Sequence, residues 1–221
     1  MRRGSKAPNG NERGRRSKEE ILDAAARVMA VRGYAAATIT AITAETGMPR
    51  SAIYHHFHSK GGLLAAVMER GARDYFGAMR EAHAQPPEGG THHERMAWFM
   101  DRTAEVFTAK PDFLRLHVRL VMSDEAADEE VLATNRSVRA EGRAYMSEMV
   151  ASAFADEGPE IARAVGEELS VFAIAAFDGS FVSAMAEAEY TVASQMDRLT
   201  DAMVALGEAA VARHKASAPA S

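Results

Sequence analysis

Arg50, Ser51, Tyr54 and His55 span one arc of a helical projection, with Ile53 and Phe57 outside it, beyond the Arg50 edge. A guanidinium, a hydroxyl, a phenol and an imidazole in that order offer the hydrogen-bonding groups that meet base edges in a major groove, while the apolar pair offers a packing side. Many small helical hairpins share this spacing, so alone it specifies little. Histidine is the other candidate for chemistry, in His55, His56 and His58 and again in His92 and His93. Adjacent histidines diverge around a helix, and no His-x-x-x-His pair lies beside a carboxylate, so no metal centre is expected. The chain has no cysteine, which removes disulfides, thiolate ligands and thiol nucleophiles together. No P-loop, dinucleotide fingerprint or Gly-x-Ser-x-Gly turn is present. Neither enzymatic activity nor a cofactor is expected.

The elements that would carry these residues are all helical. Residues 1–16, rich in Arg, Gly and Asn, predict a disordered basic arm. Ser17 and Glu20 have capping-box spacing, opening a helix that stops at Gly33. Thr38 is placed to cap a second helix ended by Gly47; a third begins at Pro49 and runs to Phe57. Ser59 then caps a fourth. The run Gln85 to Gly90 is the clearest break in the chain. Beyond it, Thr91 and Glu94 form a second capping box, and Lys110-Pro111 ends that helix. A further helix carries Phe113, Leu116, His117 and Leu120. A long one opens on Asp124, Glu125, Asp128, Glu129 and Glu130, where the backbone dipole favours negative charge, and closes at Gly158-Pro159. Two more span roughly 160–189 and 192–213, with residues 215–221 as a frayed tail. The expectation is an all-α chain of about nine helices. Residues 17–62 would form a helix-turn-helix domain and 63–214 a C-terminal ligand-binding and dimerisation domain.

The net charge of −5 hides an asymmetry: residues 1–60 carry 11 Lys/Arg against 5 Asp/Glu, and residues 61–221 carry 15 against 26. A basic end that can meet phosphates thus precedes an acidic body that cannot. The basic start runs into Pro8-Asn9-Gly10 and not into an apolar stretch, so no signal peptide is expected. Leu169 to Met185 is apolar but only 17 residues long and carries Asp178. It reads as a buried helix of a cytoplasmic chain without a membrane span.

Extended over Gly33 to Lys60, the sequence GYAAATITAITAETGMPRSAIYHHFHSK resembles the signature of TetR-family transcription repressors, most distinctively in Tyr54 to Lys60. The resemblance is close over residues 17–68 and architectural beyond. It implies a homodimer that binds a palindromic double-stranded operator and is released by a small-molecule effector, with activation as the other possible sign. It implies that Thr38 caps its helix and bonds a phosphate, and that Arg50 and Ser51 read bases or neighbour the readers. Tyr54 and His55 would meet backbone or a thymine methyl, and Lys60 a phosphate. Ala37 stands where a Thr is common, Thr43 where Ala is usual, and Gly61-Gly62 where an acidic residue often follows. Two glycines cost about 1 kcal/mol each in helix propensity, which predicts a looser start to the fourth helix.

In the body, the penultimate helix is apolar nearly all round, and Ala173, Ala176, Gly179, Ser180 and Ser183 would let another helix approach. With Leu199, Met203 and Leu206 from the last helix they predict a four-helix dimer interface; a larger monomeric bundle is the alternative. Phe99, Thr103, Phe107, His117, Tyr145, Met149 and Phe172 are expected to line a ligand site, against the plainer reading that they are core. A dimeric protein-interaction module with a degenerate reading helix is the rival function.

Overall fold

Apolar residues recurring every three or four positions fold almost the whole chain into helix. The computed structural model describes residues 10–122, 129–187 and 189–217. Among them are nine α-helices and no strand: α1 (Gly10–Ala36), α2 (Ile39–Thr46), α3 (Arg50–Phe57), α4 (Lys60–Ala82), α5 (His92–Ala109), α6 (Pro111–Val121), α7 (Glu129–Ala153), α8 (Pro159–Ala186) and α9 (Val192–Ser217). They divide into two compact units, residues 1–71 with 112–136, and residues 72–111 with 137–221.

In the first unit α1, α2 and α3 pack around Ile21, Leu22, Met29, Ile39, Ile42, Ile53 and Phe57, joined by Leu63, Leu64 and Met68 of α4, all buried. Burying each such side chain contributes roughly 1.5–3 kcal/mol. Their spacing orients the three short helices. Polar ties complete the set: Arg70 Nη1 pairs with Asp23 at 2.8 Å and Glu19 at 3.2 Å. Arg119 Nη1 donates to the Ala30 and Val31 carbonyls, each at 3.0 Å, near the end of α1. In the second unit α9 packs on both α5 and α8. Its closest approach is at Gly207, where a Cβ would lie 2.2 Å from Phe154 Cζ. Buried Arg95 donates to the Ala153 carbonyl at 2.7 Å and the Gly90 carbonyl at 2.6 Å, and pairs with Asp156.

Several expectations are corrected. Residues 10–16 continue α1 and are not a disordered arm. Ser17 lies inside the helix with its hydroxyl 3.3 Å from Met48 Sδ, and Glu20 pairs instead with Arg16, one turn earlier, at 2.9 Å. Residues 215–217, assigned to a frayed tail, end α9 as helix. Arg2, Arg3 and Lys6 of the predicted arm, with Asp124, Glu125 and Asp128, lie outside the described residues. α8 is long and apolar enough to cross a membrane by length and composition, and only 28% of its most apolar window is buried. The reading as a buried helix thus holds for only part of its surface in a single chain.

Candidate functional site

The reading surface is built from α2, its turn and α3. Thr38 caps α2, its Oγ1 accepting from the Ala41 amide at 3.1 Å, and Gly47 ends it in the left-handed conformation at φ 68°. A side chain at that φ carries a steric cost that glycine avoids. Pro49 precedes α3 with extended backbone, so α3 begins at Arg50, one residue later than expected. Ile53 and Phe57 are buried, whereas Arg50, Ser51, Tyr54 and His55 are exposed. The expected division of the helix into a packing side and an open side is therefore present. His56 is half-buried; burial first, then the charges of His55 and Lys18, hold its imidazole below the ordinary range.

The joint from α3 to α4 is tight. His58 adopts φ 63° and ψ −45°, and the Ser59 amide donates back to the Phe57 carbonyl at 2.7 Å. This is a γ-turn centred on a non-glycine residue, a strained form. Ser59 Oγ then accepts from the Gly62 amide at 2.7 Å, the cap expected of it. A Cβ on Gly62 would sit 2.3 Å from the Phe57 carbonyl oxygen. Gly62 is thus the close-contact residue of this joint, which corrects the expectation of a loosened helix start. Lys60 donates to the Ala35 carbonyl at 3.0 Å and lies 4.2 Å over the Tyr34 ring, fastening the turn between α1 and α2. Beside the reading helix, the first turns of α1 and Met48 border a shallow depression of about 810 Å³ lined by Glu12, Arg13, Arg15 and Arg16 among others.

The second unit holds a smaller cleft of about 180 Å³, lined by Arg80, His83, Pro86, Phe99, Tyr145, Glu148, Met149 and Ser152. Phe99, Tyr145 and Met149 were among the expected lining residues; His83 was not, and it organises the site. Its Nδ1 is 2.6 Å from the Tyr145 hydroxyl and its Nε2 is 3.1 Å from the Phe99 carbonyl. Burial lowers the His83 pKa to about 4, against a smaller upward effect of the Phe99 carbonyl, and burial raises that of Tyr145 to about 12. Both are uncharged near neutrality. Thr103 is buried beside them, donating to the Phe99 carbonyl at 2.8 Å.

The remaining expected residues separate. Phe107 packs with Tyr75, Phe177 and Phe181 in the core of this unit. His117 is buried in the other unit, stacked on Phe113 at 6.0 Å. Phe172 is 42% exposed on α8 and does not line this cleft, contrary to expectation. The expected interface residues divide too. Ala173, Leu199 and Met203 are buried within the chain's own packing, also a correction, whereas Gly179 and Leu206 are exposed and Ala176, Ser180 and Ser183 half-buried. Val171, Phe172, Val182 and Met185 complete an exposed apolar row on α8. His92 and His93 turn to different carboxylates, Asp156 at 3.2 Å and Asp201 at 3.0 Å. No metal-ligand cluster occurs among the described residues.

Residues 21–67 match the family described as bacterial regulatory proteins, tetR family. Over these residues, about a fifth of its length, the chain is similar to that family. The transcriptional activator FasR of Mycolicibacterium smegmatis is 37% identical over 87 residues, 37% of this chain and 40% of that protein. The transcriptional repressor AcnR of Corynebacterium glutamicum is 41% identical over 56 residues, 25% of this chain and 30% of that one. The chain thus spans less than half the length of these relatives, and the matched lengths are short. A solved chain from Pseudomonas aeruginosa PAO1 shares the fold at 21% identity, with a TM-score of 0.70 over 93% of this chain and 95% of that one. The family match coincides with α1 to α4, the elements that present Arg50 to His55.

Proposed function

We propose that this TetR-family regulator is a repressor that binds a palindromic operator as a homodimer and releases it when a small molecule occupies the second unit. The carrying observation is the division of α3: Ile53 and Phe57 buried, Arg50, Ser51, Tyr54 and His55 exposed on a capped and braced helix. Arg50 and Ser51 stand at the N-terminal end of that helix, the end that faces base edges in a major groove. Tyr54 and His55 lie one turn on, toward the sugar-phosphate backbone. Thr38 supplies a hydroxyl at the start of α2 for a phosphate, and Lys60 shares its ammonium between the Ala35 carbonyl and a phosphate.

A second copy would cover the exposed row of α8, with Ala176, Gly179, Ser180, Ser183 and Leu206 at the contact, and thereby hide apolar side chains that water otherwise meets. Two reading helices set about 34–36 Å apart would then meet successive half-sites. The effector would enter the cleft beside Tyr145. α4 begins at Lys60, beside the reading helix, and reaches Arg80 at that cleft, so one continuous helix is available to carry the change. We place the regulator in the cytoplasm, where operator DNA lies.

Selection from random duplex DNA by the full chain, followed by titration at several salt concentrations, tests this reading. An inverted repeat should be enriched. Arg50→Ala should weaken binding to it by roughly ten- to a hundredfold, equivalent to about 1–3 kcal/mol, with the melting temperature unchanged because Arg50 is exposed. Binding without sequence preference, equally strong in Arg50→Ala, would leave a protein-interaction module in its place. Transcription from the selected site in the presence of the chain gives the sign, a fall for repression and a rise for activation; the named relatives include both.

A further inference from the structure

The hydrogen bonds around His83 determine which chemistry the 180 Å³ cleft accepts. A carbonyl oxygen can only accept, so the Nε2 facing the Phe99 carbonyl at 3.1 Å carries the ring proton. His83 is neutral, its pKa pushed down to about 4, and so Nδ1 is bare. The Tyr145 hydroxyl, 2.6 Å away, must then donate its single proton to Nδ1. What Tyr145 has left for the cleft is an acceptor. The same accounting holds for Ser152, whose hydroxyl donates to the Glu148 carbonyl at 2.8 Å along its own helix. The Glu148 carboxylate accepts only, and no ion pair to it is formed among the described residues. Arg80, the cation of the lining, pairs through one nitrogen with Glu141 at 3.3 Å, which offsets its charge, and lies 6.0 Å from the Tyr145 ring centroid. Arg102, outside the lining, rests 3.9 Å over the Trp98 ring.

Beside the Glu141-paired Arg80 and the committed His83, three acceptors therefore face the cleft, with Phe99, Pro86 and Met149 as its apolar wall. We infer that the effector is a small protonated alkylamine, its ammonium N–H groups donating to Tyr145, Ser152 and Glu148 and its alkyl chain lying on Phe99, Pro86 and Met149. A neutral or anionic molecule would leave these acceptors unpaired or opposed, at the cost of desolvation without return. The volume is below the roughly 300–1,000 Å³ of sites for drug-sized ligands, which sets the size class. The inference rests on the ligand-responsive reading above and names the ligand class of that cleft.

The probes are n-butylammonium, butanoate and butan-1-ol, titrated calorimetrically into the full chain at pH 7.5, with release of the selected duplex followed in parallel. Butylammonium should bind at least tenfold more tightly than either analogue. Glu148→Gln, on an exposed position that leaves folding intact, should lose at least tenfold of that affinity, and Tyr145→Phe should lose affinity as well. Equal or tighter binding of butanoate or butan-1-ol, no heat with butylammonium, or undiminished affinity in Glu148→Gln would each overturn the inference. Specific DNA binding that persists in any of those cases leaves the regulator reading standing. Amine binding with the duplex still held would make the amine a ligand of the cleft without being its effector, and overturns the inference.

Discussion

His83 shows how one side chain can organise a site that local sequence does not announce. Its partners Tyr145, Phe99 and Thr103 stand 62, 16 and 20 residues away, so no spacing rule connects them. Burial that holds its folded pKa near 4, below the ordinary 6.5, means that the unfolded chain binds more protons between those values. The contribution of His83 is fully present above pH 6.5, is lost as pH falls toward 4, and levels off below. The melting temperature should accordingly fall across that window, and His83→Gln should flatten the fall. Parallel slopes for the two proteins, measured by thermal unfolding in matched buffers, would contradict this account.

At the scale of the element, the joint between α3 and α4 stores strain and the α9 packing tolerates no added atom. Glycine at position 58 relieves the γ-turn at φ 63° but loses more backbone entropy on folding. The net expectation for His58→Gly is a gain of about 1 kcal/mol, read from the denaturation midpoint. Gly207→Ala should instead cost about 1–3 kcal/mol by overpacking against Phe154, with a lower midpoint at unchanged slope. What the sequence made legible follows the same distinction. The Thr38 cap, the Gly47 stop and the Thr91–Glu94 box could be read because each is satisfied within about four residues. The Ser17–Glu20 box could not, since Arg16 and Met48 outcompete it for the same groups. The facing of α8 was equally hidden: a helix apolar on every side carries no phase, so Ala173 and Phe172 could not be told apart as inside and outside.

For the whole molecule, the exposed row of α8 and the charge asymmetry act together. On the proposed reading, the acidic body would repel the DNA that the basic end attracts, orienting approach before any base is read. In the proposed dimer a second copy would cover the apolar row by symmetry, the same patch on each side. Val182 is 39% exposed in this row. A carboxylate there would be buried without a partner in the dimer and harmless in the monomer. Val182→Asp should therefore sediment as a folded monomer with unchanged helicity and bind the inverted repeat far more weakly than the parent chain. A dimer of Val182→Asp with native affinity would place the interface elsewhere.

The Gly207–Phe154 contact also bears on inheritance. A cell carrying both a normal and an altered copy of this gene makes mixed pairs only if the altered chain folds. If the chain pairs and reads DNA as proposed, Arg50 variants would fold, pair and disable their normal partners, so their effect should be dominant. Substitutions of Gly207 by larger side chains remove the chain from the pool before pairing, so their effect should be recessive. A collection of loss-of-function alleles sorted by dominance would then separate residues that read DNA from residues that close the core.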